Sequence, residues 1–80
     1  MSGWVVEPGE KVHYAPDHGE IENGVVKTIN SYGTVFVVYN CNGEWDRINE
    51  YTACATDPKD LRQGWSSSAR NATVNKPDPQ

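Results

Sequence analysis

The sequence predicts an all-β domain: a small barrel of five short strands with one helical turn, followed by a disordered tail. Three features carry that expectation. Valine, isoleucine and aromatic residues concentrate between Val12 and Tyr51, whereas leucine occurs only at Leu61, a bias toward side chains that suit a pleated sheet. Asn-Gly pairs at Asn23-Gly24 and Asn42-Gly43 punctuate the apolar runs, supplying positive φ at little cost. No helical periodicity is long enough to pack a helix, and there is no internal repeat.

Pro8-Gly9-Glu10 is a turn into a first strand at 11–16, where Val12 and Tyr14 alternate with polar neighbours. A loop at 17–20 and a turn at Glu22-Asn23-Gly24 precede a second strand, Val25 to Ile29. The tight connection Asn30 to Gly33 leads into Thr34 to Tyr39, apolar on both faces and so expected to be central. The Asn40 to Gly43 turn then predicts a hairpin whose fourth strand is Glu44 to Asn49. Tyr51 to Thr56 continues that strand or opens another. Asp57 caps a helical turn begun by Pro58, Leu61 points inward, and a last short strand lies near Arg62 to Trp65. The expected organisation is an N-terminal extension at 1–8, a barrel at 9–65 and a disordered tail at 66–80, the tail being too poor in apolar residues to offset its ordering entropy.

The run from Gly24-Val25-Val26-Lys27 through Gly33-Thr34-Val35-Phe36-Val37-Val38-Tyr39 to Trp45 resembles SH3-like barrels of the Tudor, KOW and chromo-barrel kind. There a "G-x-V" strand leads into a "G-x-v-x-V-x-Y" strand and an acidic-aromatic turn. Leu61-Arg62-Gln63-Gly64-Trp65 is similar to the end of small uncharacterised bacterial or bacteriophage proteins that finish in Leu-x-x-Gly-Trp. These resemblances span residues 9–65 and imply a five-stranded SH3-like barrel, encoded by a phage or mobile element. Tudor-type domains add a carboxylate to an aromatic cage built from both strand-connecting loops. Here the first loop, Ala15 to Asn23, contains no aromatic residue.

Seven basic against eleven acidic residues give a net charge of −4, which opposes a nucleic-acid backbone. No run approaches the ~20 apolar residues that span a bilayer, and Met1-Ser2-Gly3-Trp4 has no signal-peptide character. A cytoplasmic protein with free Cys41 and Cys54 is expected. His13 and His18, like the two cysteines, have no zinc-binding spacing. Catalytic, metal and cofactor sites are expected to be absent.

Among the aromatics, Tyr14, Tyr39 and Trp65 are expected in the core, because a domain with few aliphatics needs large side chains to fill it. Tyr32 and Trp45 sit beside turns. Together with Glu44, Asp46, Arg47, Glu50 and Tyr51 they form the candidate binding rim. Strand alternation would turn Ile48 inward and leave Trp45 free as an interface anchor. The expected function is a non-enzymatic interaction module that binds a protein or peptide through this acidic-aromatic rim.

A nucleic-acid-binding barrel is the alternative, should Lys11, Lys27, Arg47, Lys59 and Arg62 gather on one face. A third possibility is an oligomeric enzyme with its site between subunits. Plasmid-borne dihydrofolate reductases, which resemble this chain in length and barrel type, are built that way. Their Val-Gln-Ile-Tyr strand has no close counterpart here.

Overall fold

The longest strand among the described residues, Glu22–Ile29, begins three residues earlier than the sequence suggests and takes in Asn23 and Gly24. A computed structural model describes residues 5–41 and 43–70; residues 1–4, Asn42 and 71–80 of the expected extension, turn and tail lie outside the described residues. Five strands form one antiparallel sheet: β1 (Lys11–Tyr14), β2 (Glu22–Ile29), β3 (Val35–Val38), β4 (Cys54–Thr56) and β5 (Leu61–Gln63). Their order across the sheet is β4-β3-β2-β1-β5. Two short 3-10 turns, Trp45–Glu50 and Pro58–Asp60, complete the secondary structure among the described residues.

Asn23-Gly24 is not a turn. Both residues lie inside β2, paired with His13 and Val12 of β1, and Gly24 does not adopt positive φ. Glycine is required here by close approach. A Cβ at position 24 would lie 2.6 Å from Val37 Cγ1, 2.8 Å from the Val38 carbonyl oxygen and 2.9 Å from Tyr39 Cδ1, distances that only displacement of β3 would relieve.

Registers set the inner face. Val12 faces Gly24, Val26 faces Val37 and Tyr14 faces Leu61. Alternation therefore brings Val12, Val26, Val35, Val37 and Leu61 together as the core, with Val6, Tyr14, Ile29 and Tyr39 packed against it. Asp57 caps the second 3-10 turn by accepting a hydrogen bond from the Lys59 N–H at 3.0 Å, and Leu61 is buried, as its position after Pro58 leads one to expect.

The fourth expected strand is absent. Glu44 to Asn49 forms no ladder; the chain turns at Cys41, whose carbonyl accepts the Glu44 N–H at 2.9 Å, and winds into the 3-10 turn Trp45–Glu50. Asp46, Asn49 and Glu50 are poor strand formers, and the apolar positions 45, 48 and 51 recur with the period of a 3-10 helix. The strand that pairs with β3 is instead Cys54–Thr56.

The described residues beyond Trp65 make contacts with β2. Asn23 is buried, and its side chain bonds both backbone groups of Ser66: the amide donates to the carbonyl at 3.0 Å and Oδ1 accepts the N–H at 2.8 Å. The Arg70 N–H donates to the Ile21 carbonyl at 2.8 Å, and Ala69 is buried. These contacts extend as far as Arg70. Two outcomes are expected in denaturant titrations. Gly24→Ala should cost about 1–3 kcal/mol or more through overpacking. Truncation after Trp65 should lower the unfolding midpoint, because it removes the two hydrogen bonds that the buried Asn23 side chain makes with Ser66, a loss of about 1–3 kcal/mol; an unchanged midpoint would show that the seam contributes nothing.

Candidate functional site

Period three organises the rim. Trp45, Ile48 and Tyr51 are half-buried, while Asp46, Arg47, Asn49 and Glu50 between them are exposed. The turn is kinked at Arg47, whose φ of −122° is not helical. The Arg47 guanidinium straddles Glu50, with Nη2 to Oε1 at 2.7 Å and Nε to Oε2 at 3.3 Å. Glu50 in turn holds the guanidinium charged, raising its pKa. The Tyr51 hydroxyl donates to Glu44, and this bond pushes the phenol pKa up. Glu44 and Tyr51 are thus joined across the turn, and Arg47 and Glu50 along it.

The turn is tied to the sheet from below. β2 carries a bulge between Val26 and Thr28, which re-aims the intervening side chain. The Lys27 ammonium donates to the Tyr51 carbonyl at 2.8 Å. Cys41 is fully buried beside the turn. Burial pushes its thiol pKa up against the opposing effect of the backbone N–H groups of Glu44 and Gly43. A buried thiol of this kind packs as a small apolar side chain.

Trp45 has an aromatic partner. Its ring packs against Trp65 with centroids 5.1 Å apart and planes at 57°, and the Lys11 ammonium sits 4.7 Å from the Trp65 ring centroid. The Trp65 indole N–H donates to the Gly24 carbonyl at 2.8 Å. Strand alternation of Trp45 against Ile48 does not apply: both lie in a 3-10 turn, and both are half-buried.

Tyr32 stands apart from the other rim residues. It projects from the β2–β3 turn, 91% exposed. That turn is built by Asn30, whose Oδ1 accepts the N–H groups of Tyr32 and Thr34, each at 2.9 Å. Gly33 takes φ of +88°, a conformation that favours glycine. By the β3–β4 register, Val35 to Thr56 and Val37 to Cys54, this turn lies at the opposite end of the hairpin from the Trp45–Glu50 turn. Tyr32, with Gly33, Thr34 and the Ala55 to Pro58 segment, lines a hollow of about 450 Å³.

A second hollow, of about 380 Å³, was not evident in the sequence. It is lined by Tyr14, Glu22, Tyr39, Cys54, Ala55, Thr56, Asp57 and Asp60. Its two tyrosines were expected only as core. Their rings meet edge to face at 6.2 Å and 63°. The Tyr39 hydroxyl and Thr56 Oγ1 share a hydrogen bond of 2.9 Å. Burial pushes the Tyr39 phenol up to about 12, against the lowering effect of Thr56, with Cys54, Glu22 and Tyr14 adding to the rise.

Both cysteines are free, Cys41 buried and Cys54 exposed. No group of three or more His, Cys, Asp or Glu residues that could hold a metal ion occurs among the described residues. His13 is occupied structurally, its Nδ1 lying 2.8 Å from the Gly64 carbonyl oxygen. No described helix is long and apolar enough to cross a membrane. Comparison of the chain with protein-family models, with curated proteins and with solved structures finds no match.

Two measurements check this geometry. Trp45→Ala should destabilise the domain, and a cycle with Trp65→Ala should give a coupling of about 0.5–1.5 kcal/mol; additive costs would mean that the two indoles do not support one another. The phenol of Tyr39 ionises near 10 in the unfolded chain and near 12 when folded, so the folded state retains the proton longer. Its contribution is intact below pH 10 and is lost as pH rises from 10 toward 12. Tyr39→Phe should flatten that part of the alkaline stability profile.

Proposed function

We propose that this chain is a non-enzymatic interaction module built on an SH3-like barrel, and that it binds a protein or peptide partner through the outer face of the Trp45–Glu50 turn. The sheet order β4-β3-β2-β1-β5, with a 3-10 turn leading into a last strand beside the first, supports the barrel. Support for the binding face comes from one observation above the others. The turn exposes Asp46, Arg47, Asn49 and Glu50 while Trp45 and Tyr51 back them as half-buried rings, and the Tyr51–Glu44 and Arg47–Glu50 pairs hold the polar groups in place. A prearranged polar surface over aromatic packing loses little side-chain freedom when a partner docks.

The nucleic-acid alternative gains no support from the basic residues. Lys11 lies over Trp65, Lys27 on the Tyr51 carbonyl, Arg47 on Glu50 and Lys59 beside Asp60. Arg62 bonds the carbonyls of Lys59 and Leu61. Each of these cations has a local partner.

Selection of a random peptide library on the immobilised domain tests the proposal. Selected peptides should converge on a sequence, and Asp46→Lys with Glu50→Lys should reduce their binding about tenfold or more, the effect of losing one or two charge-assisted contacts. Failure to converge, or binding indifferent to both reversals, would remove this face as the site.

A further inference from the structure

The second hollow lies where the sheet ends. β4 is paired only with β3 and forms one edge of the sheet. Natural sheets protect such edges with lysine, proline, charge or a bulge. Cys54-Ala55-Thr56 contains none of these, and Cys54 and Ala55 are exposed. Beside this edge lies the hollow, with Tyr14 at the end of β1, Glu22 at the start of β2, Tyr39 after β3, and Asp57 and Asp60 flanking the second 3-10 turn. Its volume, about 380 Å³, falls at the lower end of the range of about 300–1,000 Å³ for ligand pockets.

The chemistry of the walls specifies the occupant. Two tyrosine rings and three carboxylates line the hollow, and no lysine or arginine does. Arg70 bonds Glu22 through Oε2 at 2.6 Å, and Lys59 reaches Asp60 through Oδ1 at 3.5 Å. Those pairs leave Oε1 of Glu22 and Oδ2 of Asp60. Both cations stay outside, their side chains 60% and 74% exposed. An anion would be repelled by the three carboxylates. A cation is attracted to both the ring faces and the carboxylates. Of the two cationic side chains, arginine suits the walls better, because its planar fork can stack on a ring while bonding carboxylate oxygens on either side.

The edge supplies the rest. An extended segment adding to β4 would run along Cys54–Thr56 and project alternate side chains toward the hollow. Three edge residues give few backbone bonds, so the side chain entering the hollow must supply selectivity. We propose that the hollow between Tyr14 and the free edge of β4 binds an arginine side chain of an extended partner segment that pairs with β4. This site is separate from the Trp45–Glu50 face, and either can fail without the other.

The test uses a short end-blocked peptide that alternates valine and threonine around one arginine, titrated to millimolar concentration into the ¹⁵N-labelled full chain. Amide shifts are expected at Tyr14, Tyr39, Ala55 and Thr56. Replacing arginine by citrulline, which keeps the shape and removes the charge, should weaken binding about tenfold or more. Lysine should bind with intermediate strength. Methylation of the peptide backbone nitrogens should abolish the shifts at Ala55 and Thr56. Asp60→Asn should weaken binding several-fold. Equal binding of the citrulline peptide would overturn the proposal, as would the absence of any shift. Shifts confined to Trp45–Tyr51 would also overturn it while supporting the other face.

Discussion

Position 24 admits no side chain, and most of the architecture depends on that restriction. With only hydrogen at this Cα, Val37 and Tyr39 come close enough to β2 for Val12, Val26 and Val37 to share one core. The same residue exposes its carbonyl to the Trp65 indole, which in turn supports Trp45 and accepts Lys11 over its face. One missing methyl group therefore sets the depth of the core on one side of β2 and the seating of the rim on the other. A domain of this size buries a smaller share of its surface than a larger one does, so such close approach counts for more here.

The outer face of β1 and β2 is closed by a different device. His13, Asn23 and the carbonyls of Ile21 and Gly24 hold residues 64–70 by hydrogen bonds, not by apolar packing alone. The segment is rich in serine, and serine offers little area to bury, yet its backbone groups find partners one after another. That pattern explains how a stretch with the composition of a linker can be fixed: the sheet supplies the polar partners that water would otherwise provide.

Much of the strand layout was legible because it rests on local pattern. The run Val35 to Val38, the Asp57-Pro58 start of the second 3-10 turn and the inward Leu61 follow from alternation, fixed proline φ and side-chain capping. Three features were not legible for reasons that differ in kind. Asn23-Gly24 carries a strong turn signal, but tertiary crowding from β3 uses the same glycine for clearance. Trp45, Ile48 and Tyr51 were read with period two, where their spacing of three was the available clue. The hollow beside β4 joins residues from Tyr14 to Asp60, and no local pattern encodes which distant side chains a curved sheet will bring together. Of the expected rim, Glu44 and Tyr51 are joined by a hydrogen bond, while Tyr32 lies at the far end of the hairpin.

The pairing of Asn23 with Ser66 also bears on the chemical lifetime of the protein. In flexible chains an asparagine followed by glycine loses its amide readily, because the next backbone nitrogen can reach the side-chain carbonyl and cyclise; asparagine is accordingly one of the thermolabile residues. Here the sheet holds position 24 in register with Val12, and both polar atoms of the Asn23 side chain are engaged with Ser66. Cyclisation would need that stretch of β2 to leave the sheet. Deamidation would then place a carboxylate opposite the Ser66 carbonyl oxygen, where the amide had donated, and closure of the seam would meet repulsion. Each such opening would carry a risk of permanent change, so the rate of ageing at this position records how often the seam comes apart.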